Sequence, residues 1–178
     1  MPHSYPQEAV LRDGRRVLLK PFTENDTQAL HEFFLDIPEA YRRFAWDRVW
    51  DRAVVDGWGR NIDYSRVFPV LAWHNSKIVA DATLHRRDGG PLRLVGRVKW
   101  MLHPEFRGQG LGMLLINHFI DSARFDGLRH LSCMLISDLE ADAISTLEGL
   151  GFRSTVLPGY GTDPDGAQHE MTMMVLAL

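Results

Sequence analysis

One glycine-rich turn in the sequence has residue types that could bind phosphate groups. Residues 107–112 read Arg-Gly-Gln-Gly-Leu-Gly, and they stand between a strand-like apolar run and a helical pattern that starts at Leu111. Glycines allow successive backbone N–H groups to point toward one spot, and the N-terminus of the following helix adds positive potential. Arg107 adds a side-chain cation. The segment therefore predicts a diphosphate-binding junction between a strand and a helix.

Two well-known phosphate-binding turns do not fit this segment. A P-loop requires Gly-Lys followed by Ser or Thr, whereas Gly112 is followed by Met113 and Leu114. A dinucleotide-binding fold has its glycine-rich turn after the first strand of a parallel sheet, with an acid about twenty residues later. Here the turn comes more than halfway along the chain. The residues after the glycines and the position of the turn therefore argue against both.

The elements around the turn predict an α/β fold. Predicted strands cover residues 8–21 (as a hairpin), 67–73, 77–84, 92–102, 131–136, 152–157 and 169–176. Predicted helices cover residues 23–38, 39–58, 111–127 and 140–150, and residues 158–161 form a predicted loop between the last two strands. The strand-helix-strand passage around the turn favours a parallel pair. The architecture expected is a mixed, mostly antiparallel central sheet with helices on both faces.

Composition narrows the function classes. The length of 178 residues predicts one domain over residues 1–178. The formal charge of -3 argues against nucleic acid as a partner. No apolar stretch reaches the length of a signal peptide or of a membrane span, so we expect a cytoplasmic protein without a membrane partner. Cys133 is the single cysteine, and it lies in an apolar run where we interpret it as a small core residue.

The glycine-rich turn and the elements beside it resemble the GCN5-related N-acetyltransferase (GNAT) family. Arg107-x-x-Gly110-x-Gly112 matches the family's phosphate-binding motif, and the strand before it and the helix after it are where the family has them. Ala143 and Gly151-Phe152 are similar to its second cofactor segment. More narrowly, residues 41–44 and 62–64 resemble the acetyltransferase domains of bacterial Pat-type protein lysine acetyltransferases.

This resemblance implies a cofactor, a site and a reaction. Acetyl-CoA would be the cosubstrate, its pantetheine arm bonded to amides that are left free where strand residues 100–102 splay from residues 131–136. The implied cofactor-binding residues are Leu102, His103, Arg107, Gly108, Gln109, Gly110, Leu111, Gly112 and Met113. An amine, either a small molecule or a protein lysine, would attack the thioester directly, aided by positioning and by a backbone N–H aimed at the oxyanion.

The sequence departs from the family pattern at the residues that usually transfer protons. Arg97 stands where many members have a glutamate base, and an arginine cannot accept a proton. Leu147 stands where many have a tyrosine acid, and Glu140 replaces a common asparagine. Tyr160, in the predicted 158–161 loop, could supply an acid from elsewhere.

Three residues are candidates for the general base, each with a structural alternative. Glu140 lies near the expected fork, but an acid at the start of a helix is also favoured by the helix dipole. His103 precedes Pro104 and could equally be a surface histidine at the end of a strand. Asp81 interrupts an apolar strand and could line the acceptor site or face solvent. No two of the eight histidines have the His-x-x-x-His spacing of a helical metal site, so no metal is expected.

The sequence therefore supports a main hypothesis and two alternatives. The main hypothesis is an acetyl-CoA-dependent N-acyltransferase acting on a primary amine. Because the usual glutamate and tyrosine are absent, a non-catalytic acyl-CoA-binding or regulatory module is the alternative. A plain α/β scaffold or interaction domain is the third, and it requires that no CoA species binds. The sequence leaves open the identity of the acceptor, the acyl chain length and whether the chain forms a homodimer.

Overall fold

An eight-stranded sheet runs through the protein, and a computed structural model describes residues 3–178 of it. The strands are β1 Gln7–Val10, β2 Arg16–Pro21, β3 Val67–His74, β4 Lys77–His85, β5 Val95–Leu102, β6 His130–Ile136, β7 Arg153–Thr162 and β8 Gln168–Ala177. They lie in the order β1-β2-β3-β4-β5-β6-β8-β7, and every neighbouring pair except β5 and β6 is antiparallel. The mixed, mostly antiparallel sheet expected from the sequence is confirmed.

Helices cover both faces of this sheet, as expected. They are α1 Thr27–Asp36, α2 Glu39–Arg42, α3 Arg52–Arg60, α4 Leu111–Phe125 and α5 Ala141–Gly149. The two faces carry separate cores because successive side chains of a strand point to opposite sides. In β3, Val70 and Ala72 are buried in the core under α4 and α5, whereas Leu71 is buried in the core under α1 and α3.

The helical region expected over residues 39–58 is wrong in its middle. Helix α2 ends at Arg42 and α3 begins at Arg52, and residues 43–51 between them, the bridging segment, are not helical. Asp51 caps α3, since its side chain accepts a hydrogen bond from the amide of Ala53 at 3.0 Å. The bridging segment instead crosses the sheet, where Asp47 pairs with Lys99 of β5.

Two other boundaries also differ from the sequence prediction. Strand β5 begins at Val95 rather than at Leu92, because residues 90–95 form turns in which Val95 donates to the carbonyl of Leu92 at 3.0 Å. Residues 158–161 belong to β7 and are not a loop, although the pairing with β8 shifts between Leu157 and Gly161. The connection lies at residues 163–167, where the amide of Asp163 donates to the carbonyl of Ala167.

Candidate active site

The parallel strands β5 and β6 diverge and form a fork in the middle of the sheet. They are paired only from Val95–His130 to Arg97–Ser132. Beyond that point β5 continues to Leu102 along β4, and β6 continues to Ile136 along β8. The splayed pair expected from the sequence is therefore confirmed. A gap opens between the two strands toward their C-terminal ends.

The glycine-rich turn lies at the open end of this fork, and its backbone donors are free. Gly108 and Gly110 have φ angles of 71° and 90°, a region that favours glycine, and Gly110 directly precedes α4. The Arg107 amide donates to the carbonyl of Pro104 at 3.1 Å. Within residues 3–178, none of the amides from Gly108 to Met113 has an acceptor. Unpaired amides at a helix N-terminus are the donor set that an anion requires.

A cleft of about 1770 Å³ extends from this turn through the fork and onto the α1 and α3 face of the sheet. Six of the expected cofactor-binding residues line it: Leu102, Arg107, Gly108, Gly110, Gly112 and Met113. The other three do not. Gln109 turns its carbonyl to the amide of Arg12 at 3.0 Å, Leu111 is fully buried in the core, and the His103 side chain lies near Asp36 of α1.

Arg107 lies across the mouth of the fork. Its guanidinium stacks over the ring of Tyr41 in α2, 4.2 Å from the ring centroid. Its charge also acts on Glu140 at the start of α5, where it opposes the rise in pKa that burial of that carboxyl causes. The positive charge of Arg107 therefore lies between α2 and the start of α5, which both border the cleft.

Glu140 is one of the two base candidates that line the cleft. Its carboxylate accepts a hydrogen bond from the amide of Ile136, the last residue of β6, at 2.8 Å. Burial raises the pKa of Glu140 above its usual value, and the Ile136 amide and Arg107 oppose that shift. The side chain therefore both caps the end of β6 and presents a carboxylate at the fork.

Asp81 is the other, and it lies on the sheet face that α1 and α3 cover. Its cross-strand neighbours are Leu71, which is buried in the core on that face, and Met101 of β5. Burial raises the pKa of Asp81 to about 7, the charge of Lys99 lowers it, and the charge of Asp47 raises it further. A carboxyl group that titrates near neutral pH is suited to accept a proton there.

The structure does not bring His103 to these carboxylates. Its Nδ1 accepts a hydrogen bond from the Glu105 amide at 3.4 Å, and its Nε2 lies 3.6 Å from the carboxylate of Asp36 in α1. Its ring also packs edge-on against Phe106. These contacts fit the alternative of a histidine at the end of a strand, outside the cleft-lining residues.

Cys133 lines the fork but is held as a thiol. It is 3% exposed, and burial, with a further contribution from the charge of Glu140, raises its pKa to about 12. A thiol that stays protonated at neutral pH is a poor nucleophile. This environment supports the interpretation of Cys133 as a core residue.

The bridging segment, which the sequence analysis placed in a helix, forms a wall of the cleft. At one end Arg43 pairs with Asp163 at 3.0 Å and with Asp165, and Phe44 packs edge-on against His169. Farther along, the Trp46 ring lies under the guanidinium of Arg97, 4.7 Å from the ring centroid. These contacts join residues far apart in sequence, so no local pattern could have revealed them.

With this geometry defined, comparison with known proteins decides the family. The sequence model of the acetyltransferase (GNAT) family matches residues 27–152. The chain belongs to the GNAT acetyltransferase family. The match includes the fork strand β5, the glycine-rich turn, and both cleft carboxylates.

Solved structures share the fold of this GNAT family member over nearly its whole length. The GNAT domain of S. lividans PAT is 18% identical, with a TM-score of 0.77, and the match covers 97% of this chain and 96% of that one. YncA, a putative acetyltransferase from Salmonella typhimurium that was solved with acetyl-CoA, is 24% identical, with a TM-score of 0.74 and coverage of 91% and 94%. A ribosomal-protein-alanine N-acetyltransferase from Brucella melitensis is 21% identical, with a TM-score of 0.77 and coverage of 90% and 99%.

Arg97 and Leu147 are the residues that the sequence resemblance aligned with the usual proton-transfer positions. Arg97 is exposed and lies against Trp46. Leu147 is 3% exposed and lines the cleft. Tyr160 is 69% exposed on β7 and is not among the cleft-lining residues, so the suggestion that it supplies an acid loses its support.

Within residues 3–178, no helix is both long enough and apolar enough to span a membrane. No group of three or more His, Cys, Asp or Glu side chains in this range is arranged to hold a metal ion.

Proposed function

We propose that this GNAT family member transfers an acetyl group from acetyl-CoA to a primary amine, carried by a small molecule or by a protein lysine. The observation that supports this most directly is the row of free amides from Gly108 to Met113 at the open end of the β5–β6 fork. Leu102, Arg107, Gly108, Gly110, Gly112 and Met113 would hold the cofactor. Acetyl-CoA would supply the acyl group as a thioester, a form that an amine can attack.

The turn fits a diphosphate in shape as well as in charge. A side chain added at Gly108 would meet nothing within 4 Å, and one at Gly112 would only touch Leu102 at 3.7 Å, so both positions border open space. The same two glycines belong to the row of residues whose amides have no acceptor in the described part of the chain. The residues present therefore fit the phosphate groups of a CoA molecule, and α4 directs its positive end toward them.

We assign the general base to Asp81. Its side chain lines the cleft on the α1 and α3 face of the sheet, and its pKa of about 7 would let it take a proton from an ammonium group near neutral pH. The amine nitrogen then forms a bond to the acetyl carbon, and the bond from that carbon to sulfur breaks. Glu140, whose carboxylate already accepts the Ile136 amide, is the second candidate.

No side chain is assigned as the acid for the leaving sulfur. Leu147 occupies the position of the usual tyrosine, and it has no proton to donate. A thiol has a pKa of roughly 8.5, so a thiolate can leave near neutral pH and then take up, through solvent, the second proton that the attacking nitrogen releases. An acid is therefore not essential to the reaction.

Two measurements test this proposal. Isothermal titration with acetyl-CoA should show binding, and absence of binding at millimolar ligand would exclude it. A thiol-release assay across a panel of small amines and lysine-containing peptides should then show turnover with at least one class. Binding without turnover on any acceptor would favour the acyl-CoA-binding or regulatory module, which the buried Leu147 already motivates.

A further inference from the structure

The turn of the first hairpin, residues 11–15, packs against the glycine-rich turn. The amide of Arg12 donates a hydrogen bond to the carbonyl of Gln109 at 3.0 Å. Farther along, the guanidinium of Arg15 donates to the carbonyl of Glu105 at 2.7 Å. Two backbone carbonyls of the 105–109 region therefore fix the hairpin in place, although about 90 residues of chain separate the partners.

The two arginines of this hairpin turn have different surroundings. Arg15 is neutralised by Asp13 at 2.6 Å and stacks on Phe106, 3.8 Å from the ring centroid. Arg12 is exposed and lines the cleft. Among residues 3–178, no acceptor or carboxylate pairs with the Arg12 guanidinium. Arg15 thus has a structural role, and Arg12 has a free charge.

The Arg12 side chain lies beside the amides that have no partner. A Cβ placed on Gly110 would be 3.7 Å from Nε of Arg12 and 3.8 Å from its Cγ. Gly110 is in the middle of the row of free N–H groups, and it directly precedes α4. Because Arg12 is held by its backbone to Gln109, its side chain starts from a fixed point at this row.

Arg107, the arginine of the turn motif, has its guanidinium at the other end of the turn. Its guanidinium stacks on Tyr41, and its charge acts on Glu140 at the fork. The opposite end of the glycine-rich turn would therefore lack a cation if Arg12 were absent. A guanidinium suits this position, since its planar N–H groups can bind two phosphate oxygens at once.

We infer that Arg12 is a cofactor-binding residue that grips the diphosphate of CoA together with the free amides of residues 108–113. This inference rests on the proposed function, because it assumes that the turn binds CoA. It adds a residue from the first hairpin, outside the 27–152 range that the family model matches. The hairpin thereby has a role in binding in addition to its role in the sheet.

Isothermal titration of Arg12→Ala tests the inference, with Arg16→Ala as the matched control. Arg16 is exposed on the same hairpin but does not line the cleft. We expect Arg12→Ala to bind acetyl-CoA about tenfold more weakly than wild type, the usual effect of a charge-assisted contact to phosphate. Arg16→Ala should bind as wild type does, and both variants should melt at the wild-type temperature because the Arg12 amide is retained.

Repeating the titration with 3′-dephospho-CoA separates the two phosphate sources. A loss of the same size with this ligand supports contact with the diphosphate, which both ligands carry. A loss with acetyl-CoA alone would move the contact to the 3′-phosphate and overturn the assignment, as would equal affinities of the Arg12→Ala and Arg16→Ala proteins. Failure of the wild type to bind either ligand would instead refute the proposed function.

Discussion

The ammonium group of Lys99 lies 3.4 Å from the carboxylate of Asp47, and this ion pair joins β5 to the bridging segment over the sheet face that carries Asp81. Burial is the main reason that the pKa of Asp81 is raised to about 7, and Lys99 and Asp47 act on it with opposite sign. His85, on the same face, stays neutral near pH 7 because burial lowers its pKa to about 4. The proposed base is therefore tuned by one cation and one anion.

We predict that kcat/KM of the wild type rises as the pH passes through about 7, the pKa of Asp81, and that Asp81→Asn removes this rise. The protonated carboxyl cannot accept a proton, and the asparagine amide cannot at any pH, so kcat at pH 8 should fall by roughly 10²- to 10⁴-fold. The titration of the acceptor amine is common to both proteins and cancels in their ratio. Thiol-release rates measured from about pH 5.5 to about pH 9 check this.

Glu140→Gln is the control for this prediction, since the amide oxygen can still accept the Ile136 N–H. It should keep the rise near neutral pH. A rise that persists in Asp81→Asn and vanishes in Glu140→Gln would transfer the role of base to Glu140.

Asp81→Asn should not lower stability at pH 8. The pKa of Asp81 is higher in the folded chain than in the unfolded chain, so the protein becomes less stable as the pH rises from the unfolded-state pKa toward about 7. Asparagine does not titrate, so the substitution removes this loss of stability.

Removing either charge of the Lys99–Asp47 pair should shift the pH at which kcat/KM rises, and the two shifts should be in opposite directions. Lys99→Met removes the cation that lowers the pKa of Asp81, so the rise in kcat/KM should move to higher pH. Asp47→Asn removes the anion that raises this pKa, so the rise should move to lower pH. The same pH series measures both. Shifts of the same sign, or none, would show that these charges do not act on the catalytic base.

Gly110→Leu should weaken the binding of acetyl-CoA by tenfold or more, which corresponds to a loss of about 1.4 kcal/mol in binding free energy. A side chain there would stand in the row of free amides. Gly127→Leu is the matched control, because Gly127 also has a positive φ, 73°, but it follows the C-terminus of α4, is not among the cleft-lining residues, and has nothing within 4 Å of its Cβ position. Both variants should lose about 1–2 kcal/mol of stability from backbone strain. Isothermal titration and thermal unfolding should separate them, and equal affinities would contradict the placement of the phosphate site.

His118 predicts acid sensitivity of the fold. It is 3% exposed in α4, hydrogen-bonded to the Tyr5 hydroxyl, and burial, with a smaller contribution from His3, lowers its pKa to about 4. The unfolded chain therefore binds a proton that the folded chain does not as pH falls from about 6.5 toward 4, and stability should fall by up to about 1.4 kcal/mol per pH unit. His118→Gln should show a smaller slope in urea unfolding measured over this range, and an unchanged slope would contradict the assignment.

Local patterns in the sequence were enough to predict most of the fold. The period-2 and period-3.6 patterns placed the sheet and α4, and the strand-turn-helix passage at Arg107–Gly112 predicted both the parallel pair and the turn. These predictions succeeded because each depends on residues that are close in sequence. The helical prediction for residues 39–58 failed only in its middle, residues 43–51, where Arg43 and Asp47 pair with Asp163 and Lys99, which lie far along the chain.

The sequence by itself thus determined the fold class and the turn whose glycines free a row of amides, since backbone conformation there is set by the residues themselves. Tertiary structure decided which side chains reach that turn and the fork. It brought Asp81 and Glu140 into one cleft, set His103 against Asp36, and placed Arg12 beside Gly110. The physical reason is that burial, and the charges that tune a carboxyl group, come from strands and turns that only the folded sheet brings together.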